Sequence, residues 1–315
     1  MVIRLALPLL AATGVLANPK RGLVFVPNED HPEDNKIWPE DSAISWYYNY
    51  ESRPSPAFAD ISQSDFAFVP MQWGVDANNP TDDTFLRNVE EQLDGGTNIT
   101  HVLGFNEPDG TLDIGGSDTL PEVAAEAWVV NFEPLAKRGV KLGLPACTGG
   151  WDGMPWLRQF LGNCSEILSD GKDDKKNCTW DFLPVHWYDN VEGLKSHINE
   201  RREEWPGVEI WVTEYAYAHK SLDEVQEHFN TTLEYFDDSD FIGGYTYFGA
   251  FRSEVSNVGP DVTFLNNDGK LTDVGSWYMG RSATGVDPQS GRGESVMISW
   301  AIVLGSMGMV TALLL

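Results

Sequence analysis

Val102-Leu103-Gly104-Phe105-Asn106, then the run that opens Pro121-Glu122-Val123-Ala124-Ala125, then Lys141-Leu142-Gly143-Leu144-Pro145-Ala146 read in chain order as strand, helix and strand. The two outer runs are short and nearly all apolar, as in a parallel sheet whose outer face is covered by helices. The middle run continues to residue 138 and carries its own punctuation. Thr119 can cap it, Pro121 suits its first turn, Glu122 favours the positive end of the dipole, and Gly139 stops it.

Working outward, the same alternation recurs. Strands are expected at 22–26, 44–48, 66–71, 102–106, 141–146, 183–187, 210–213 and 244–248, with helices at 84–93, 121–138, 156–168, 191–205 and 222–236. Residues 28–42 read as an irregular loop, and 57–64 is short. Eight strands alternating with helices favour a single-domain α/β fold, the (β/α)8 TIM barrel, over an open doubly wound sheet. No Gly-x-Gly-x-x-Gly loop follows the first strand, which also counts against a dinucleotide fold.

The ends suggest processing. Residues 1–17 carry one charge, Arg4, before an apolar run and a small-residue stretch, the pattern of a secretory signal peptide. Residues 296–315 are apolar and uncharged, with small residues at Ser282-Ala283-Thr284-Gly285 and a polar spacer upstream. That is the pattern of a GPI-anchor signal, with Ala283 the expected attachment residue and 284–315 the removed propeptide. An uncleaved tail anchor is the alternative. The expected domain is then 18–283, on a protein secreted to the cell surface or wall and held at the plasma membrane only through a lipid.

A formal charge of −27 excludes nucleic acid and anionic lipid surfaces as partners and favours a neutral or cationic ligand. Twelve Trp and ten Tyr are plentiful, and flat aromatic faces suit sugar rings. Of the three cysteines, Cys164 and Cys178 flank the polar segment 169–177 and are expected to bridge it, while Cys147 in an apolar context is expected to stay a buried free thiol. Sequons for N-glycosylation stand at Asn98, Asn163, Asn177 and Asn230. Scattered histidines without metal-ligand spacing give no expected metal site. No Gly-x-Ser-x-Gly suggests a serine triad.

In a barrel the active site lies at the carboxyl ends of the strands. The fourth strand ends Asn106-Glu107-Pro108 and the seventh Thr213-Glu214-Tyr215. Strands four and seven face each other across a barrel, so Glu107 and Glu214 can flank one bound molecule, as glycosidic cleavage requires. Glu107 is the candidate general acid/base and Glu214 the nucleophile. Asn106 can donate to a sugar 2-hydroxyl, and Pro108 is expected to hold Glu107 extended.

These placements resemble clan A glycoside hydrolases, and Trp46-Tyr47-Tyr48-Asn49-Tyr50, Val69-Pro70-Met71-Gln72-Trp73, Leu144-Pro145-Ala146 and His186-Trp187-Tyr188 resemble the fungal alkali-sensitive-linkage group, glycoside hydrolase family 128, over about 20–278. Cys147 departs from the small Ser or Ala expected there. The resemblance implies a retaining endo-β-1,3-glucanase with neither metal nor organic cofactor, and a monomer is expected. Asn49, Trp73, Trp151, His186, Tyr188, Tyr215 and Tyr247 fall at or just after strand ends as candidate substrate contacts, with Trp73 and Trp151 as stacking platforms and Tyr215 orienting the nucleophile. The alternatives are a non-catalytic wall-glucan-binding protein on the same barrel, or a hydrolase or transglycosylase for another wall polysaccharide such as β-1,6-glucan or mannan.

Overall fold

The computed structural model describes residues 15–171 and 175–291. Most of the expected signal peptide (1–14) and the whole apolar tail (296–315) lie outside the described residues. Within them, β1 (Arg21–Val24), β2 (Trp46–Tyr48), β3 (Ala67–Phe68), β4 (His101–Leu103), β5 (Lys141–Gly143), β6 (Phe182–Trp187), β7 (Glu209–Tyr215) and β8 (Ile242–Tyr247) form one sheet. Its order is β3-β2-β1-β8-β7-β6-β5-β4 and its pairings are parallel. The two end strands also touch. The Leu103 N–H donates to the Pro70 carbonyl at 2.9 Å and the Gln72 N–H to the Leu103 carbonyl at 3.2 Å, so Met71 bridges Leu103 in parallel. This architecture is consistent with the (β/α)8 barrel expected from the alternation.

Seven helices follow the strands among the described residues: α1 (Thr84–Asp94), α2 (Pro121–Asn131), α3 (Glu133–Lys137), α4 (Gly153–Ser169), α5 (Val191–Glu204), α6 (Leu222–Asp238) and α7 (Asp273–Tyr278). The single helix expected over 121–138 is thus two. Pro134 lacks the N–H that the Val130 carbonyl would accept from, and its ring crowds that carbonyl, so the helix restarts at Glu133. Nor does Thr119 cap. Leu120 is the N-cap, and the Thr119 hydroxyl donates to the Ser117 carbonyl at 3.1 Å.

Alternation along the strands sorts side chains to two cores. The larger lies between sheet and helices and includes Tyr47, Leu183, Val185, Val212, Tyr215 and Tyr247. The smaller fills the inner face with Val24, Trp46, Tyr48, Val69, Met71, Leu103, Phe182 and Trp211. The Trp46 and Phe182 rings sit 4.8 and 4.6 Å from that of Trp211. Glycines make room for them: a Cβ on Gly22 would lie 2.3 Å from the Trp46 ring, and one on Gly143 2.6 Å from that of Phe182. The interior is plugged by large rings set against bare backbone, and only the mouth at the carboxyl ends is left for chemistry.

Cys164 and Cys178 are bonded, with Cα atoms 5.5 Å apart, and Cys147 is free and buried, both as expected. Asn98, Asn177 and Asn230 are exposed and Asn163 half-buried on α4. Ala283 is exposed, but the ordered fold runs past the boundary expected there. The Thr284 and Gly285 N–H groups each donate to Asp273 at 2.7 Å. Further on, Ser290 accepts from the Asn266 amide at 3.0 Å and from the Asn267 N–H at 3.1 Å. What reads as a polar spacer is polar because it bonds to the 253–273 loops.

Gly22→Ala is expected to lower stability by about 1–3 kcal/mol, because the Trp46 ring has nowhere to retreat. Denaturant unfolding that gave an unchanged midpoint would show that the interior is not tightly plugged.

Candidate active site

His186 is the centre of the mouth. It is 1% exposed, and its Nδ1 lies 2.9 Å from Glu107 Oε1 and 3.5 Å from Glu214 Oε2. One oxygen from each carboxyl and one ring nitrogen all lie within 4.8 Å of one another. Residues from β6, β7 and the loop after β4 are brought together, although the two glutamates are far apart in sequence.

Glu214 reaches this point through an irregularity. Simple alternation from Trp211, which faces inward, would turn residue 214 outward and 215 inward. The β6 pairing runs Val185 to Val212 and then His186 to Glu214, so Thr213 is an extra residue in β7. This bulge re-aims Glu214 into the mouth and sends Tyr215 to the helix side. The placement expected for Tyr215 is therefore corrected: it is buried against Phe236 and Tyr247, at 5.0 and 5.1 Å, and does not touch the carboxyl. Tyr247 is corrected likewise, stacking on Phe264 at 5.3 Å in the outer core.

The hydroxyls that do hold Glu214 come from elsewhere. Tyr50 donates to Oε1 at 2.7 Å and Tyr188 to Oε2 at 2.5 Å, while Tyr48 lies 3.5 Å from Oε1 and donates at 2.7 Å to the Thr213 carbonyl. Tyr188, expected as a substrate contact, here donates to the Glu214 carboxyl. Tyr48 and Tyr50 lie outside the expected contacts, and the signal that finds them is the inward period of two through Trp46, Tyr48 and Tyr50. Asn49, between them, turns the other way: its amide accepts from the Glu51 N–H and donates to the Arg53 carbonyl, bracing its own loop.

Burial raises the Glu214 pKa above the ordinary carboxyl range, and the Glu107 charge adds to this, against the opposing effects of His186 and the two hydroxyls. Burial works against a charge on His186, but the Glu214 charge and the Glu107 hydrogen bond outweigh it, and its pKa stands above the usual value. Burial, then the Glu214 charge, push Tyr50 and Tyr188 well up, which keeps both as donors.

Glu107 does not have the extended backbone expected before Pro108. Its φ is +39°, the left-handed region, which disfavours a side chain bearing Cβ. The loop over-determines it: its N–H donates to the Ala146 carbonyl at 2.7 Å, and its carbonyl accepts from the Gly110 N–H at 2.9 Å and the Ser117 N–H at 3.2 Å. Tyr50 shares this strain, at φ +63°. Asn106 is buried, with Nδ2 donating to the Gly115 carbonyl at 3.0 Å and Oδ1 without a partner. Trp73 is half-buried in the loop after β3, its carbonyl accepting from the Asn106 N–H at 2.8 Å, and Trp151 is 85% exposed after β5.

Two carboxyls and an imidazole are donor types that a metal accepts. Here both Glu214 oxygens already take phenol protons and His186 Nδ1 faces Glu107, so the three are held in one hydrogen-bonded network, with His186 Nε2 buried and without a partner.

Residues 22–278 match the family model described as glycosyl hydrolase catalytic core. The chain belongs to glycoside hydrolase family 128, alkali-sensitive-linkage type. It is 30% identical over 270 residues to alkali-sensitive linkage protein 1 of Schizosaccharomyces pombe, covering 82% of this chain and 44% of that protein, so it spans less than half the length of that curated relative. Among solved family 128 structures, the curdlan-specific exo-β-1,3-glucanase of Blastomyces gilchristii matches with a TM-score of 0.62 at 26% identity, over 83% of this chain and 99% of the other. The endo-β-1,3-glucanase of Pseudomonas viridiflava matches at 0.65 and 23%, over 85% and 100%. An oligosaccharide-binding protein of Trichoderma gamsii shares the fold at 0.57 and 21%, over 83% and 94%.

Removing the hydroxyls that stabilise the Glu214 carboxylate raises its pKa further. Carboxyl-carbon NMR titration of Tyr50→Phe and Tyr188→Phe should show the Glu214 transition moving to higher pH in each. No movement, or movement downward, would remove that hydroxyl from its place on the carboxylate.

Proposed function

We propose that this family 128 protein is a retaining endo-β-1,3-glucanase that cuts cell-wall glucan, with Glu214 as nucleophile and Glu107 as general acid/base. The observation that carries the reading is the short separation at the mouth, where the two carboxyls and His186 contribute atoms within 4.8 Å of one another. Retaining enzymes hold their carboxyls about 5–5.5 Å apart, whereas inverting ones leave about 6.5–9.5 Å for a water. The reading takes the sheet as a closed barrel, which the Met71–Leu103 bridge between its end strands supports.

In the first step Glu214 attacks the anomeric carbon as Glu107 gives its proton to the leaving oxygen, forming a glycosyl-enzyme. In the second, Glu107 takes a proton from water, which attacks the same carbon and frees Glu214. His186 Nδ1, 2.9 Å from Glu107 Oε1, orients the acid whose proton is transferred. The tyrosine hydroxyls hold the attacking carboxylate in one rotamer.

An uncharged polysaccharide suits a chain of formal charge −27. The anchored, secreted and glycosylated state is part of the proposal. Because 284–291 is bonded into the fold, it favours a lipid attached beyond that segment over one at Ala283. Binding without cleavage is the second reading, prompted by the Trichoderma gamsii protein and opposed by the complete carboxyl pair.

Glu107→Gln and Glu214→Gln should each lower glucan hydrolysis by several orders of magnitude with the fold intact. On an aryl glucoside whose leaving group needs no proton, the Glu107→Gln deficit should shrink while the Glu214→Gln deficit persists. Near-normal turnover in either variant would take that residue out of its role, and glucan binding by a wild-type protein that never cleaves would establish the second reading.

A further inference from the structure

Two of the four sequons share a feature that the others lack. In Asn163-Cys164-Ser165 and Asn177-Cys178-Thr179 the middle residue is a cysteine, and these two cysteines are bonded to each other. The middle residues after Asn98 and Asn230 are Ile99 and Thr231. A bridge that joins two sequons through their centres bears on the chemistry of both.

The folded chain engages both hydroxyls that complete these motifs. Ser165 accepts from the Cys178 N–H at 3.1 Å, across the bridge from its own cysteine. The Thr179 hydroxyl donates to Glu133 Oε2 at 2.9 Å, and its N–H donates to Oε1 at 2.7 Å. Asn163 lies inside α4 and is half-buried, whereas an acceptor sequon belongs on a surface loop where a bulky glycan can stand in solvent. Asn177 is exposed, but the next residue is tied at its sulfur and the one after at its hydroxyl and N–H. In each motif the asparagine and its hydroxyl partner cannot rearrange together while the bridge is closed.

We infer that closure of the Cys164–Cys178 bridge competes with glycan addition at Asn163 and Asn177, so that these two sites are filled only on the open dithiol chain, while Asn98 and Asn230 are filled independently of the bridge. This inference rests on the secreted, glycosylated state proposed above and extends it. In the transfer, the asparagine side-chain nitrogen bonds to the first sugar carbon of a lipid-pyrophosphate oligosaccharide, the bond from that carbon to the pyrophosphate oxygen breaks, and the amide gives up one proton. In the competing step the two thiols lose two protons and two electrons to a disulfide-bearing oxidoreductase of the secretory pathway, whose own disulfide is reduced. The time scales overlap: at about 5–20 residues per second the 14 residues from Cys164 to Cys178 take about 1–3 s to synthesise, and bridge formation takes seconds to hours. The lifetime of the dithiol therefore sets how much of each site is filled.

Glycopeptide mass spectrometry on the full chain, expressed in a eukaryotic secretory host, reads each site separately. Each cysteine is removed in turn and the untouched sequon of the other is scored, so the acceptor motif itself is unchanged. Cys164→Ala should raise the occupied fraction at Asn177, and Cys178→Ala that at Asn163, with Asn98 and Asn230 unchanged. A dithiol reductant added to cells making the wild-type chain should raise both sites at once, which keeps the test valid if either variant fails to fold. Complete occupancy of both sites in the untreated wild type, or a dithiol chain with no more glycan than the bridged one, would overturn the inference and leave the glycosylated state standing. An equal rise at Asn98 and Asn230 would trace the effect to slower folding in general and overturn it too. A wild-type chain without glycan at any of the four sequons would overturn the glycosylated state itself, and the competition with it.

Discussion

Two charged carboxylates brought together at the plugged end of a curled parallel sheet would repel one another, by roughly 3 kcal/mol at about 5 Å and an effective dielectric of about 20. The site at the carboxyl ends of the strands is arranged around that repulsion. His186 stands between Glu107 and Glu214 with one nitrogen toward both, and burial that would otherwise discharge the imidazole is overcome by the two acids it serves. Each acid in turn gains from the ring. The pair and its histidine form one contiguous unit, and two acids with unequal surroundings can then take unequal parts.

Holding that unit needs backbone that regular strands do not supply. Glu214 faces inward because Thr213 is an extra residue in β7, and Glu107 faces inward on a left-handed backbone locked by three hydrogen bonds. Tyr50, the phenol on the Glu214 carboxylate, is left-handed too. Strain of this kind persists only where surrounding structure over-determines it. The rigid support is the ring plug beneath, in which Trp46, Phe182 and Trp211 close the interior and leave the mouth as the one place where polar side chains from opposite strands can meet.

The alternation of strand and helix, the cysteine pairing and the meeting of the two glutamates with His186 and Tyr188 at the strand ends were all legible, because each depends on local pattern or on the rule that barrel chemistry sits at strand ends. Tyr215 and Tyr247 were misplaced by that same rule, since a strand end has two faces and a one-residue bulge decides which face a side chain takes. Tyr50 was within reach of the period-two reading that places Trp46 and Tyr48 inside, but its left-handed φ lies beyond the strand and leaves no mark in the sequence. Pro134 marks the break between α2 and α3, being the one proline in the interior of that run, where the N–H it lacks would have donated to the preceding turn. Segment 284–291 looks like a spacer because residues that bond to loops have the same composition as residues that bond to water.

The central claim is that the carboxyl pair works by double displacement on β-1,3-glucan. The most direct measurement is proton NMR of the earliest products released from a linear β-1,3-glucan by the purified full-length protein, read before mutarotation. Shorter oligosaccharides whose new reducing ends are first β establish retention and the pairing of Glu107 with Glu214. Products whose new ends are first α would require a water between the carboxyls, which their close approach leaves no room for, and would contradict the account.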